Sequence, residues 1–308
     1  MNSIKFFFCL GVISAMMVGS GETIGQDNKS AKPQFIFGAV ADCQYCDHPT
    51  AGRREYRLSP EKLTRCVEQL NKRDLAFVVH LGDFIDRDFK SFSVVSPIFA
   101  KLKAQGRHVL GNHDFSVADD KKLLVPKTLG MPSRYYDYSI GKWRFIILDG
   151  NDLSFYAHPK NSDEHRASVD YYTKQKLKAP KYNGGVGPKQ LKWVKSVLEQ
   201  ATKSAQRVIL FCHFPVYPKS AGHNLWNADE MIALLESYPC VAAYINGHNH
   251  AGHYAAKKGI HYLTLQGMVD TKKTSYATIA VHEGQLIVTG FGREKNRTLT
   301  IRKGAESK

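Results

Sequence analysis

The chain reads as an α/β sandwich, with two β-sheets packed on one another and helices outside them. Three features lead there. Strand-like apolar runs outnumber helical ones, they fall into an early and a late group, and stretches of helical period are interleaved within each group. Apolar runs recur from Phe35 to Ile301 with no Pro/Gly/Ser-rich stretch dividing them, so the 308 residues are read as one domain with insertions. Neither an internal repeat nor a coiled-coil pattern is present.

Each element has a local reason. Phe35 to Val40, Phe77 to Leu81 and Arg107 to Leu110 are apolar runs that empty into polar loops at Asp42, Asp83 and Asn112, as buried strands do. Between the first two, Ser59 supplies a helix cap and Pro60 the first helical position, and Leu63, Val67 and Leu70 fall on one face. A second helix is predicted over Val94 to Ala104. Tyr135 to Ile140 and Trp143 to Leu148 flank Gly141-Lys142 as the arms of a hairpin. Residues 150–187, rich in Tyr, Lys and Asn and without a clear period, read as an insertion over the site. Pro188 opens a helix through Thr202 with Leu191, Val194, Val197, Leu198 and Ala201 as its stripe. Strands are then predicted at Val208 to Cys212, Val241 to Ile245 and Ile260 to Gln266, with a helix over Ala228 to Leu235. A last hairpin pairs Thr278 to Val281 with Leu286 to Thr289, and Thr298 to Arg302 adds an edge strand.

Residues 1–25 read as a secretory signal: Lys5, an apolar run from Phe6 to Val18, then Gly19, Ser20 and Gly21. The run is short for a bilayer span, although a retained anchor is the alternative because no A-x-A site is evident. Residues 26–33 follow as a flexible connector and 34–303 as the catalytic domain, so the expectation is an exported protein without a stable membrane span. The formal net charge is +15, and removing Lys5 and Glu22 with the signal leaves it unchanged. A basic surface favours anionic partners, but the charge is dispersed and lacks the interleaved aromatics of a nucleic-acid groove. Small phosphorylated molecules, nucleic acid and acidic lipid all fit that sign, which alone does not choose among them, and the sequence carries no mark of an oligomeric state.

Beyond Cys9, five cysteines remain, an odd number that excludes a complete disulfide framework. Cys43 and Cys46 form a C-x-x-C with no second pair, and Cys43 sits in an apolar strand pattern, which argues against thiol catalysis.

Five polar clusters stand at the ends of strand-like runs: Asp42-Cys43-Gln44, Gly82-Asp83-Phe84-Ile85-Asp86, Gly111-Asn112-His113-Asp114, Cys212-His213 and Gly247-His248-Asn249-His250. Strand ends are where α/β sheets place ligands, and carboxylate, amide oxygen and imidazole are the donors that hard and borderline divalent metals prefer. His80 and His108 lie within apolar runs and read as structural.

These clusters, in this order, resemble the signature of the calcineurin-like metallophosphoesterase superfamily, D-x-H/Q, G-D-x-x-D, G-N-H-D/E, an isolated H and G-H-x-H, from about Phe35 to Arg293. The resemblance implies a four-layer αββα sandwich of two mixed sheets flanked by helices, with a dinuclear metal site. By that resemblance Asp42, Gln44, Asp83 and His250 hold one ion and Asp83, Asn112, His213 and His248 the other, with hydroxide between them as the nucleophile. His113 resembles the histidine that assists the leaving group and Asp86 the carboxylate that orients it. Gln44 stands where most members carry histidine, which favours Mn²⁺ over zinc. Asp86 stands where purple acid phosphatases place a tyrosine ligand, which argues against a ferric-tyrosinate site.

Ala41 to Tyr45, Arg53-Arg54, Tyr56-Arg57, Asn183-Gly184-Gly185, Gln190 to Trp193, His213 to Pro218 and Trp226-Asn227 further resemble the manganese-dependent ADP-ribose/CDP-alcohol diphosphatases. That implies cleavage of a diphosphate linkage, with Arg54 gripping the second phosphate and Asn112 also facing substrate. The loop between Tyr45 and Arg53 is short and has no counterpart of the aromatic that holds the base in that branch. Tyr182, Val186, His223 and Trp226 are read either as walls of the base or alcohol pocket or as ordinary packing. A broader phosphodiesterase or phosphomonoesterase, cyclic nucleotides included, is the alternative on the same site; a non-catalytic binding protein is the third.

Overall fold

The first β-strand, Phe35–Val40, ends just before Asp42, the first of the predicted site residues. In the computed structural model, residues 32–220 and 222–302 are described together with Met1, so the predicted signal and nearly all of the connector lie outside the described residues. From Pro33 the chain forms one unit. Strand β1 (Phe35–Val40), helix α1 (Ser59–Leu70), β2 (Phe77–His80), α2 (Phe92–Phe99) and β3 (Gln105–His108) alternate, and two single turns, α3 (Asp119–Lys122) and α4 (Val125–Thr128), follow. The hairpin β4 (Tyr136–Ile140) and β5 (Trp143–Ile147) leads to α5 (Asp163–Lys174), α6 (Pro188–Lys203), β6 (Arg207–Phe211), α7 (Ala228–Glu236) and β7 (Val241–Asn246). Strands β8 (His253–Lys257), β9 (Ile260–Thr264), β10 (Ser275–Val281), β11 (Gln285–Gly292) and β12 (Arg297–Thr300) complete the chain.

Two six-stranded sheets result, ordered β12-β11-β10-β1-β2-β3 and β4-β5-β6-β7-β9-β8. Within them β1, β2 and β3 run parallel, as do β5, β6, β7 and β9, while the remaining pairings are antiparallel, so both sheets are mixed. The expected α/β sandwich is therefore the observed one.

Because side chains alternate across a strand, Phe37 faces the second sheet while Gly38 faces α1. Phe37 stacks on Phe77 at 4.8 Å and meets Phe145 and Phe211 of the second sheet edge-on at 5.9 and 5.8 Å. Burying each such ring contributes about 1.5–3 kcal/mol. On the far side of the second sheet, Val194, Val197, Leu198 and Ala201 of α6 and Met231, Ile232 and Leu235 of α7 pack against Ile146, Val208, Leu210 and Tyr244.

Three local expectations need correction. Helix α2 stops at Phe99, short of Ala104, because Asn71 ties down the next turn by donating to the Lys101 carbonyl and accepting from the Lys103 amide, and β3 begins at Gln105. The segment 150–187 contains α5, capped by Ser162, whose one buried residue is Ser168; with no apolar stripe it leaves no period to read. Edge strand β8 was not predicted, since none of its residues is fully buried and it carries no apolar run. All five cysteines among the described residues are unpaired. Burial pushes the Cys43 thiol up to about 12 and those of Cys46 and Cys212 to about 11, so none is a ready nucleophile. No helix among the described residues is long and apolar enough to cross a membrane.

Candidate active site

Parallel strands deliver their carboxyl ends to one edge, and here the two sheets deliver theirs to the same place: the His248 amide donates to Asp42 Oδ1 at 3.1 Å, and His213 Nδ1 lies 2.9 Å from the Leu81 carbonyl. The loops are unusual. Asp42, Gln44, Asp83 and His248 all have left-handed backbones, with φ of 52°, 47°, 55° and 68°, at a typical cost of about 1–3 kcal/mol each. Backbone bonds hold them there, among them Asp42 N–H to Gly82 O and Gln44 N–H to Asp83 O. His80 accepts from the Cys43 amide at 3.3 Å, and burial drives it well below the usual histidine range; burial takes His108 down to about 3. Both are neutral structural residues. Gly111 is required by close approach, since a Cβ there would stand 2.1 Å from the Asp83 amide nitrogen.

Asp114 is a residue whose role the sequence reading did not assign. Its buried carboxylate accepts from the amides of Asp83, Phe84, Ile85 and Gly111, at 2.7–3.2 Å, and so moulds two of the loops that carry predicted ligands at once. Burial and the neighbouring Asp83 charge push its carboxyl up to about 7, against the pull of those amides. Asp114→Ala leaves four amides without this acceptor, and we expect a loss of about 3 kcal/mol or more in unfolding free energy, read by urea denaturation. A loss under about 0.5 kcal/mol would show that the loops do not depend on it.

Five of the seven predicted metal ligands, Asp42, Asp83, Asn112, His213 and His248, are linked through hydrogen-bond distances, and the Gln44 backbone amide donates to the Asp83 carbonyl at 2.7 Å. His213 Nε2 lies 3.2 Å from Asp83 Oδ2, 3.2 Å from Asn112 Oδ1 and 3.1 Å from His248 Nδ1, and donor atoms of Asp83, His213 and His248 all lie within 4.8 Å of one another. His250 Nε2 stands 3.6 Å from Asp42 Oδ1. Asp42 Oδ2 and both polar side-chain atoms of Gln44 are buried without a hydrogen-bond partner. Orphaned buried oxygens are rare in native proteins and fit a cation's demand for oxygen donors.

Each imidazole is oriented through its other nitrogen, as metal-binding histidines are. His213 Nδ1 bonds to the Leu81 carbonyl at 2.9 Å, His248 Nε2 to Asn183 Oδ1 at 2.9 Å and His250 Nδ1 to Asp270 Oδ1 at 2.8 Å. Asn183 lies in a quoted motif, but nothing in the sequence marked Asp270.

The electrostatics point the same way. Burial would raise Asp83, but the His213 charge and hydrogen bond, with His113, outweigh it and hold the carboxyl well below its ordinary range. Burial likewise opposes a charge on His213, yet Asp83 pushes it up to about 9. At Asp42 burial wins and the pKa rises; at His248 burial wins and the pKa falls far. The pocket thus stabilises positive charge between Asp83 and His213 and leaves Asp42 short of it.

A cleft of about 510 Å³ opens over this cluster, lined by Arg54, Asp83, Asn112, His113, Phe115, Tyr182, His223, His248 and His250 among others. His113 Nδ1 lies 2.8 Å from Asp86 Oδ1; burial opposes its charge, but Asp83 and Asp86 together raise its pKa. The four suggested pocket residues part company. Tyr182 and His223 line the cleft, whereas Val186 packs with α6 and α7 and Trp226 donates to the Pro180 carbonyl beneath Phe155 and Tyr172.

Comparison with known proteins agrees with this geometry. The family model described as calcineurin-like phosphoesterase matches residues 37–252. The chain is 30% identical to the manganese-dependent ADP-ribose/CDP-alcohol diphosphatase of Xenopus laevis, over 91% of this chain and 94% of that one. It is 32% identical to the protein of the same name from Oryza sativa subsp. japonica, over 85% and 92%. Among solved structures it resembles a dimetal phosphatase from Danio rerio, with a TM-score of 0.80 and 27% identity over 88% of this chain and 100% of that one. With candidate ligands gathered at the strand ends, these matches show that the chain belongs to the calcineurin-like phosphoesterase family and is a metal-dependent hydrolase of phosphate esters or anhydrides.

Proposed function

We propose that the enzyme cleaves the diphosphate linkage of nucleoside diphosphate-linked compounds such as ADP-ribose or CDP-alcohols, with Mn²⁺ as its preferred metal. Asp42, Gln44, Asp83 and His250 would hold one ion, and Asp83, Asn112, His213 and His248 the other. The observation that carries the substrate reading is Arg54, a half-buried guanidinium in the same cleft as His113 and the ligand cluster. Its backbone is bridged to Ala51 and Asp270, and its Nη1 donates to the Tyr56 hydroxyl at 3.4 Å. The relatives' name supports both the substrate class and the metal. The amide oxygen of Gln44 also suits manganese better than zinc.

Two divalent ions in such a site supply a nucleophile from water at neutral pH and neutralise charge on the phosphoryl oxygens. The protein does the rest. Asp86 fixes His113 through Nδ1 and favours its protonated form, leaving Nε2 to give its proton to the departing oxygen. Arg54 presents a planar fork to the second phosphate, which a monoester does not have.

A substrate panel tests this. With Mn²⁺, kcat/KM for ADP-ribose or CDP-choline is expected to exceed that for an unactivated monoester or 3′,5′-cyclic AMP. Arg54→Ala should lower kcat/KM on the diphosphates by about 10- to 100-fold, the worth of a charged hydrogen bond, and on bis(p-nitrophenyl) phosphate by under about threefold. A preference for cyclic AMP or monoesters, or equal losses on both substrate types, would replace this reading with the broader phosphodiesterase.

A further inference from the structure

Lys62 is a buried cation that the chemistry above leaves unused. It projects from α1, is 1% exposed, and its ammonium donates to the carbonyls of Met268, Val269 and Thr271 at 2.6, 3.0 and 3.0 Å. An ammonium has three donors and no acceptor, so these bonds saturate it. Burial lowers it to about 8, which leaves it mostly charged at neutral pH. Three carbonyls from four consecutive residues converge on one point, an arrangement whose mutual repulsion a cation relieves.

The segment held in this way touches the site repeatedly. Met268 N–H donates to Ala41 O and Val269 N–H to Asp42 O, both at 2.8 Å; Glu55 N–H donates to Val269 O, and Thr271 N–H to Arg53 O. The Asp270 side chain pairs with His250 Nδ1 at 2.8 Å and with Arg53 Nε at 3.2 Å. We propose that Lys62 is a positioning residue, a fixed internal cation that shapes the segment 268–271 so that Asp270 orients His250 and the backbone clamps Asp42. It thereby sets the affinity of one of the two metal sites. This rests on the reading of Asp42, Gln44, Asp83 and His250 as the ligands of one ion.

The test is calorimetric titration of Mn²⁺ into metal-depleted wild-type, Lys62→Met, Lys62→Gln, Asp270→Asn and Lys62→Met/Asp270→Asn chains, with circular dichroism to report folding. Wild type is expected to take up two ions. Lys62→Met should keep one at wild-type affinity and bind the other about 10- to 100-fold more weakly, the usual effect of disturbing a ligand's support. Lys62→Gln, which retains two donors, should fall between. The double variant should be within about threefold of the weaker single, because both changes act through the segment 268–271 on the same metal site. Unchanged affinity at both sites, equal weakening of both, fully multiplicative losses, or unfolding of both Lys62 variants would each overturn the proposal. Fewer than two ions on the wild-type chain would overturn the ligand assignment beneath it.

Discussion

Asp83→Ala is expected to strip both metal ions from the protein and lower kcat/KM by at least about 10⁴-fold, since a metal pair supplies several kcal/mol of transition-state stabilisation. The reason is its position. Asp83 follows β2 with a left-handed backbone, its Oδ2 lies 3.2 Å from His213 Nε2, and its Oδ1 accepts from the His113 amide. It is the carboxylate assigned to both ions, so one deletion removes a charged donor from each. The loop itself should survive, because Asp114 still holds the backbone amides of residues 83, 84 and 85. Elemental analysis alongside a rate assay on bis(p-nitrophenyl) phosphate reads both losses; normal metal content at a normal rate would refute the assignment.

His113→Ala should behave differently. The ring is tied through Nδ1 to Asp86, and it lines the cleft without joining the donor cluster of Asp83, Asn112, His213 and His248. Both ions should therefore remain bound while kcat falls by about 10²- to 10⁴-fold, the contribution of a positioned acid. Asp86→Asn keeps the shape of the partner but removes its charge, and a smaller fall of the same kind is expected. Loss of metal from His113→Ala would make His113 a ligand.

Much of this was legible in the chain because parallel strands buried on both faces read as unbroken apolar runs, and those of β1, β2, β6 and β7 end just before the candidate ligands Asp42, Asp83, His213 and His248. Phe35 to Val40, Phe77 to His80 and Val241 to Asn246 are observed at or near their predicted bounds. What escaped has no periodic trace. Helix α5 lacks an apolar stripe and β8 is an edge strand. Asp270 supports His250 from a loop twenty residues away, a relation that only the fold creates. Lys62 left one faint mark, a lysine four residues before Cys66 on the buried stripe of α1, where a solvated residue has no place. Trp226, read as either a pocket wall or ordinary packing, is a packing residue here.

The central claim is a pair of cations sharing Asp83, and diffraction from crystals grown with Mn²⁺, measured at the manganese absorption edge, addresses it directly. Two anomalous peaks are expected, one among Asp42, Gln44, Asp83 and His250 and one among Asp83, Asn112, His213 and His248, about 3.5–4 Å apart. A single peak, or two peaks that do not share Asp83, would contradict the account.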